Sequence, residues 1–155
     1  MTGHTPNNDI QYSVLIETGP DIVWEMLTKP EYMKQWMGEN EMDIEIETNW
    51  RVGQPIIIRG FHHAKFENRG TVLVYQPNQF LKYNHLSSIS RLPDITENYT
   101  SIEFRLNQTG GHTSLTITLE NFPTESIKQH LDFYWKTTLN IIKNQAEYHH
   151  ISIIK

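Results

Sequence analysis

The spacing of apolar residues divides the chain into one strand, two short helices, a long β region and a final helix. From Ile10 to Glu17 apolar and polar residues alternate, which is typical of a half-buried strand. Pro20 and Pro30 then each stand at the first position of a short helix, where the missing N–H of proline costs nothing. From residue 39 to residue 120 the apolar period is two, and glycine, asparagine and proline turns divide the region into further strands. We predict about seven strands, mostly joined by hairpins and therefore antiparallel.

The last part of the chain predicts one long helix. It begins at Pro123, and its apolar residues recur at helical spacing to about Tyr148. Roughly 24 helical residues have a length of about 36 Å, so this helix spans the whole domain. We therefore predict an α+β fold in which a curved antiparallel sheet of about six to seven strands wraps around the C-terminal helix. Residues 10–155 form this single domain, and residues 1–9 are expected to be a disordered lead-in.

Charge and composition argue against several classes of function. The 155 residues carry a net charge of −5 and their 13 basic residues are scattered, which argues against nucleic acid and anionic membrane surfaces as partners. No apolar run approaches the roughly 20 residues that a membrane span needs. The absence of cysteine excludes disulfides and thiolate metal sites. Because residues 1–9 contain no apolar signal segment, we expect a cytoplasmic location.

Acidic residues and histidines form the two patterns that could hold a metal ion. Every second residue from Glu39 to Glu47 is acidic, but these carboxylates face away from the apolar residues between them. That arrangement predicts a solvated outer face, with a basic partner as the alternative. The histidine pairs at 62–63 and 149–150 lack carboxylates at ligand spacing. We therefore predict no metal site, and the sequence contains no motif for a cofactor.

Prolines, tryptophans and glycines at fixed places give the chain a family resemblance. The residues that carry it are, in order, Pro20, Val23, Trp24, Leu27, Thr28, Pro30, Glu31, Trp36, Trp50, Gly53, Gly70, Val72, Tyr75, Pro77, Leu81, Tyr83, Gly111, Thr113, Leu115 and Trp135. Across roughly residues 10–148 the chain resembles the bacterial relatives of the activator of the 90-kDa heat-shock protein ATPase, which belong to the START-like (SRPBCC) helix-grip superfamily. In that family a glycine usually precedes the last tryptophan, whereas this chain has Tyr134 there.

The resemblance implies an elongated cavity between the sheet and the C-terminal helix. The superfamily includes lipid and polyketide binders, and a minority of its members are cyclases or hydrolases. The implied function is therefore the binding of a hydrophobic small molecule, whose identity the sequence does not give. The chaperone-activating role belongs chiefly to longer eukaryotic proteins with an additional domain, so it is not carried over to this chain.

Strand parity and the helical pattern identify the residues that would line such a cavity. The predicted ligand-binding residues on inward strand faces are Phe66, Tyr83, His85, Ile102 and Phe104, and Leu139 belongs to the apolar stripe of the last helix. The family resemblance implies that Trp36 and Trp135 also border the cavity, so both are predicted to bind the ligand. Further aromatic candidates, either for the mouth or floor of the cavity or for ordinary core, are Trp50, Phe61, Phe133 and Tyr134. The polar candidates are Tyr83 and His85. The alternative for His85 is a core histidine bonded to a backbone carbonyl.

Three functions stay open on the sequence alone. The favoured one is a binding protein without catalytic residues, because no nucleophile or orienting carboxylate lies near Tyr83 and His85. The second is a cyclase- or hydrolase-like enzyme that uses these two residues in the cavity. The third is a module that interacts with a chaperone or a regulatory protein. A homodimer is compatible with each of the three.

Overall fold

The computed structural model describes residues 9–154 and has the predicted α+β architecture. Seven strands and three α-helices follow one another in these residues, with two short helices after the first strand and a long helix at the end. Their bounds are β1 (Ile10–Ile16), α1 (Pro20–Thr28), α2 (Pro30–Met37), β2 (Glu45–Thr48), β3 (Pro55–His62), β4 (Ala64–Gln76), β5 (Phe80–Ser87), β6 (Thr100–Thr109), β7 (His112–Glu120) and α3 (Glu125–Ile154). Apart from Asp9, the lead-in predicted for residues 1–9 lies outside the described residues.

The strands form one antiparallel sheet in the order β1-β7-β6-β5-β4-β3-β2. Strands β2 to β7 lie side by side in chain order, and β1 pairs with β7. Leu81 of β5 pairs with Phe104 of β6, which in turn pairs with Ile117 of β7. Because paired residues share a face, apolar side chains form rows across one side of the sheet, here named the inner face.

The helices cover the inner face, and two tryptophan side chains connect the end of α1 to neighbouring elements. The indole N–H of Trp36 donates to the carbonyl oxygen of Met26 at 2.7 Å, and the indole N–H of Trp50 donates to that of Thr28, also at 2.7 Å. Both carbonyls belong to the last turn of α1, where carbonyl groups have no partner within the helix. The two indoles therefore satisfy the end of α1 while they bury their rings. Within residues 9–154 no helix has the length and apolar character needed to cross a membrane.

One segment differs from the sequence-based prediction, and the sequence leaves the end of the last helix open. Residues 40–42 form a 3₁₀ turn and Asp43 has a φ of 51°, so the strand expected across residues 39–47 is wrong for its first half. The turn brings Met42 against Gly38, since a Cβ on Gly38 would lie 2.5 Å from the sulfur of Met42. The acidic side chains are nonetheless exposed as predicted. Helix α3 continues to Ile154, past the helical spacing that ends at about Tyr148, so of the two possibilities for the residues from 151 onward, an extension of the helix or a docked tail, the structure has the extension.

Gly70 allows the long strand β4 to bend closely against β5. A Cβ at position 70 would lie only 1.7 Å from the carbonyl oxygen of Asn84 on β5. A short distance further along, the pairing of β4 with β5 shifts register between Val72 and Val74. The missing side chain and the register shift together permit the bend of the sheet at the strands that carry the candidate site.

We predict that Gly70→Ala destabilises the fold by about 3 kcal/mol or more, because the new methyl group meets backbone that cannot move aside cheaply. Gly111→Ala is the matched control, since a Cβ there meets nothing within 4 Å. We expect that control to change stability by less than about 1 kcal/mol. Urea unfolding of both variants measures the difference, and equal stabilities would contradict the close approach of β4 to β5.

Candidate functional site

Four aromatic side chains from four elements form a continuous row across the inner face. Trp36 of α2 lies 5.7 Å from Trp135 of α3, Trp135 lies 5.7 Å from Phe104 of β6, and Phe104 lies 5.9 Å from Tyr83 of β5, measured between ring centroids. All four rings are at most 6% exposed. Tilted and edge-on contacts at these distances are favourable arrangements for aromatic pairs. The structure thus brings these four predicted residues together, and we name them the aromatic row.

Two more of the predicted residues complete the packing around the aromatic row. Ile102 pairs with Tyr83 across the β5–β6 ladder and is 1% exposed. Leu139 follows Trp135 by one helical turn on the same face of α3 and is 4% exposed. Six of the eight predicted residues therefore lie in the closely packed core that joins the sheet to α2 and α3.

His85 lies beyond the aromatic row on the same strand as Tyr83. It pairs with Thr100 of β6, and the two-residue period of a strand places it on the inner face with Tyr83. Part of its side chain is still accessible, yet the surrounding protein desolvates the ring enough to lower its pKa from 6.5 to about 4. Within residues 9–154 neither ring nitrogen has a hydrogen-bond partner, so the expected bond to a backbone carbonyl is not found there. The result is a neutral imidazole with one hydrogen-bond donor and one acceptor to offer.

Tyr83 of the aromatic row and the neighbouring Tyr134 are also uncharged. Burial raises the pKa of Tyr83, and the neighbouring hydroxyl of Tyr134 raises it further. Burial raises the pKa of Tyr134 to about 12. Its hydroxyl donates to the carbonyl oxygen of Met37 at 2.9 Å, which ties α3 to the end of α2. The inward-facing positions of β3 to β6 carry no Asp, Glu, Lys or Arg, and their two histidines are His85 and, at the exposed tip of the β3–β4 hairpin, His62.

Phe66 is the predicted residue that lies apart from the aromatic row. It pairs with Gly60 near the tip of the β3–β4 hairpin, beyond the point where β5 ends. A Cβ on Gly60 would lie 2.7 Å from the far end of its ring, so Phe66 packs over that glycine. Among the further aromatic candidates, Trp50 and Tyr134 pack against the core, whereas Phe61 and Phe133 are 50% and 74% exposed.

Two surface grooves lie away from Tyr83 and His85, and the larger one includes the predicted residue Trp36. The larger, of about 460 Å³, lies between α2 and α3, and Trp36, Gly38, Phe133 and Ile141 are among its walls. The smaller, of about 370 Å³, lies where β1 meets the start of α3. Neither includes Tyr83 or His85. The sequence carried one signal for the larger groove, namely that Phe133 falls outside the buried stripe of α3. Within residues 9–154 no group of three or more His, Asp or Glu side chains is arranged to hold a metal ion.

Comparison of the sequence with protein families gives one match that covers most of the chain. The matching family is described as Activator of Hsp90 ATPase homolog 1-like protein, and the match extends over residues 17–147. A comparison with curated proteins found no match.

Several solved bacterial structures share the fold. A solution structure of a Cytophaga hutchinsonii protein is 27% identical, with a TM-score of 0.75 over 91% of this chain and 94% of that one. A crystal structure from Chromobacterium violaceum is 18% identical, with a TM-score of 0.78 over 91% and 98% of the two chains. The solution structure of the Aha1 dimer from Colwellia psychrerythraea is 22% identical, with a TM-score of 0.70 over 90% and 96%. These likenesses support the predicted helix-grip fold.

The position of Trp135 in the aromatic row leads to a stability prediction. We expect Trp135→Ala to destabilise the protein by about 3–5 kcal/mol, the usual cost of removing a buried tryptophan. Phe133→Ala is the control on the same helix, because its ring is 74% exposed, and we expect it to cost less than about 1 kcal/mol. Chemical unfolding measures both variants. A small cost for Trp135→Ala would show that its ring borders empty space instead of packed core.

The lowered pKa of His85 leads to a prediction about pH. The folded protein binds a proton on His85 near pH 4, whereas the unfolded chain does so near 6.5, so the unfolded state holds more protons between these values. The stability from neutral His85 is complete above about pH 6.5 and is lost as the pH falls to about 4, by up to about 3 kcal/mol. Between pH 7 and pH 4 the unfolding free energy of the wild type should therefore fall relative to that of His85→Gln. Parallel pH profiles would contradict a buried neutral imidazole.

Proposed function

Because the chain belongs to the family of Activator of Hsp90 ATPase homolog 1-like proteins, we propose that it binds an uncharged hydrophobic small molecule beside His85, against the inner face of the sheet. The molecule would extend from the aromatic row toward the part of β4 and β5 that His85 occupies. Tyr83 and the other rings of the row would supply apolar contact, and His85 would supply a hydrogen bond.

The unpartnered imidazole of His85 is the observation that carries this proposal. The ring nitrogens of His85 are not fully enclosed by protein, so a molecule from solvent can reach them. A side chain with open hydrogen-bonding groups on the inner face of a central strand, at the end of an apolar cluster, suits contact with a partner that is not part of the protein. A ligand group with an oxygen or nitrogen atom would satisfy it.

The neutrality of the inner face indicates which ligands would fit. The charged residues of β3 and β4 point outward, where Arg59 bonds Glu67 at 3.0 Å. On the outer side of β5 and β6, Lys82 bonds Glu103 at 3.3 Å. A carboxylate or phosphate buried beside His85 would find no Lys or Arg on the inner face of those strands, and burial of an unpaired charge is costly. An uncharged aromatic or alicyclic molecule with one hydroxyl or carbonyl group suits the site better.

The enzyme alternative receives less support from the same residues. A general acid or base works best with a pKa near the pH at which it operates. Burial places the pKa of His85 at about 4 and raises that of Tyr83, so neither exchanges protons readily near pH 7. Cyclase- or hydrolase-like chemistry by this pair therefore stays the second candidate. Cytoplasmic location and self-association also stay proposals, and for self-association one structural neighbour is described as a dimer.

Binding of 1-naphthol and of naphthalene, followed by tryptophan fluorescence, tests the proposal. We expect the wild type to bind both and to prefer 1-naphthol by roughly 3- to 10-fold, the effect of one hydrogen bond worth about 0.5–1.5 kcal/mol. His85→Phe should retain naphthalene binding and lose the preference.

His112→Phe is the control, because this histidine lies on the surface at β7 with 46% of its side chain exposed. We expect the control variant to behave as the wild type does. Failure of the wild type to bind either compound would contradict the proposed function. An unchanged preference in His85→Phe would show that the hydrogen bond is made elsewhere.

A further inference from the structure

The outer side of α3 carries a stripe of exposed residues that the fold itself does not use. We name it the outer seam, and its residues are His130, Phe133, Thr137, Asn140, Ile141, Asn144, Tyr148 and Ile151. All eight side chains are exposed, and their spacing of mostly three and four residues places them along one line of the helix. The seam is about 32 Å long, at 1.5 Å for each residue from 130 to 151. It lies opposite the buried stripe that contains Trp135 and Ile142.

The composition of the outer seam is unusual for a surface that faces water. A solvent-facing side of a helix usually carries charged residues, yet no seam residue is Asp, Glu, Lys or Arg, in a chain in which 20% of residues are charged. Four seam residues are large and apolar or aromatic, with Phe133 and Tyr148 each 74% exposed, Ile151 48% and Ile141 42%.

The charged residues of this part of α3 are directed to one side of the seam. Asp132 accepts a hydrogen bond from the hydroxyl of Tyr12 on β1, and Lys136 lies 5.9 Å from the centre of that ring. Lys143 forms an ion pair with Glu147, and Glu147 also accepts from the backbone N–H of Glu17. These residues connect α3 with β1 and the chain just after it, so they do not explain why the seam is apolar.

We propose that the outer seam is the contact surface for a second copy of this chain, with the two α3 helices antiparallel. A two-fold axis between residues 140 and 141 places Phe133 against the partner's Tyr148. The same axis places Thr137 against the partner's Asn144 and His130 against the partner's Ile151. Large residues therefore meet at the pairs 133–148 and 130–151 and small polar residues meet at the pair 137–144, whereas Asn140 meets the partner's Ile141 beside the axis. A surface without charge can also face its own copy without repulsion between like charges.

The exposed aromatic rings supply a substantial part of the area that such a contact requires. A buried aromatic side chain covers about 150–250 Å², so Phe133 and Tyr148 together would remove on the order of 300 Å² from water in each subunit. A standard interface buries about 800 Å² on each side, and the other seam residues and their neighbours would supply much of the rest. The seam also forms one wall of the groove between α2 and α3, through Phe133, Thr137 and Ile141. A membrane surface fits less well, because helices that lie on membranes are rich in Lys and Arg beside their apolar face.

Crosslinking tests the antiparallel arrangement, and the chain is well suited to it because it contains no cysteine. Asn140→Cys should form a disulfide-linked dimer under mild oxidation, since the two-fold axis passes beside it. Phe133→Cys should not, because residues 133 of the two copies would lie about 22 Å apart along the seam, far beyond disulfide reach. The double variant Thr137→Cys with Asn144→Cys should crosslink. Crosslinking of both Asn140→Cys and Phe133→Cys would indicate parallel helices and overturn the proposal.

Analytical ultracentrifugation tests the seam without crosslinks. We expect the wild type to associate, and Phe133→Lys and Tyr148→Glu each to weaken association by at least about 10-fold. The double variant should recover association, because each introduced lysine would face the partner's glutamate, whereas the two positions on one helix are too far apart to pair.

Leu15→Lys is the control, because Leu15 is 54% exposed on the outer face of β1. It should associate as the wild type does, and circular dichroism confirms that each variant is folded. A monomeric wild type would overturn the proposal. A dimer that neither seam substitution weakens would overturn it as well.

Discussion

The packing of Trp135 against Phe104 is the contact on which the rest of the structure depends. It joins the long helix α3 to the middle of the sheet, and the contact of Trp135 with Trp36 adds α2 to the same cluster. Each of these rings is at most 6% exposed, so the cluster removes a large apolar area from water. Because α3 is held at this point, its opposite side must face outward. The same contact therefore determines both what the helix buries and what it leaves exposed.

The candidate site follows from where this packing stops. Along β5, Leu81 and Tyr83 are buried in the core, whereas His85 on the same face is partly accessible. The ring is still desolvated, and for that reason its pKa falls to about 4. A neutral group with free hydrogen-bonding capacity at the edge of an apolar cluster is the arrangement that orients small molecules in binding sites. Function on this scaffold must be argued from such particulars, since one fold supports many functions.

Much of this arrangement could be predicted from the order of residues. The alternation of β5 and β6 correctly placed Tyr83, Ile102 and Phe104 on one face, because a strand has no other way to separate its two sides. The helical stripe likewise placed Trp135 and Leu139 toward the sheet. The segment around Met42 was mispredicted because a 3₁₀ turn followed by a short strand leaves the same apolar residues facing inward as a continuous strand does.

Other features depend on how elements meet, and no local pattern contains that information. Phe66 has the inward parity expected of it, but the β3–β4 hairpin extends past β5 and carries it away from the aromatic row. The lack of a partner for His85 is also a property of the assembled sheet. Part of the outer seam could be predicted from the sequence, because Phe133 and Tyr148 fall outside the buried stripe of α3. That the seam is exposed follows only from the packing of α1, α2 and β1 beside the helix.

The central claim is that the inner face beside His85 receives a ligand. Two-dimensional ¹H–¹⁵N NMR of the labelled protein during a titration with 1-naphthol tests this most directly. The account predicts that the largest shift changes fall on β4 and β5 around Tyr83 and His85, with the His85 ring nitrogens among them. Changes confined to the groove between α2 and α3, with β5 unaffected, would contradict it.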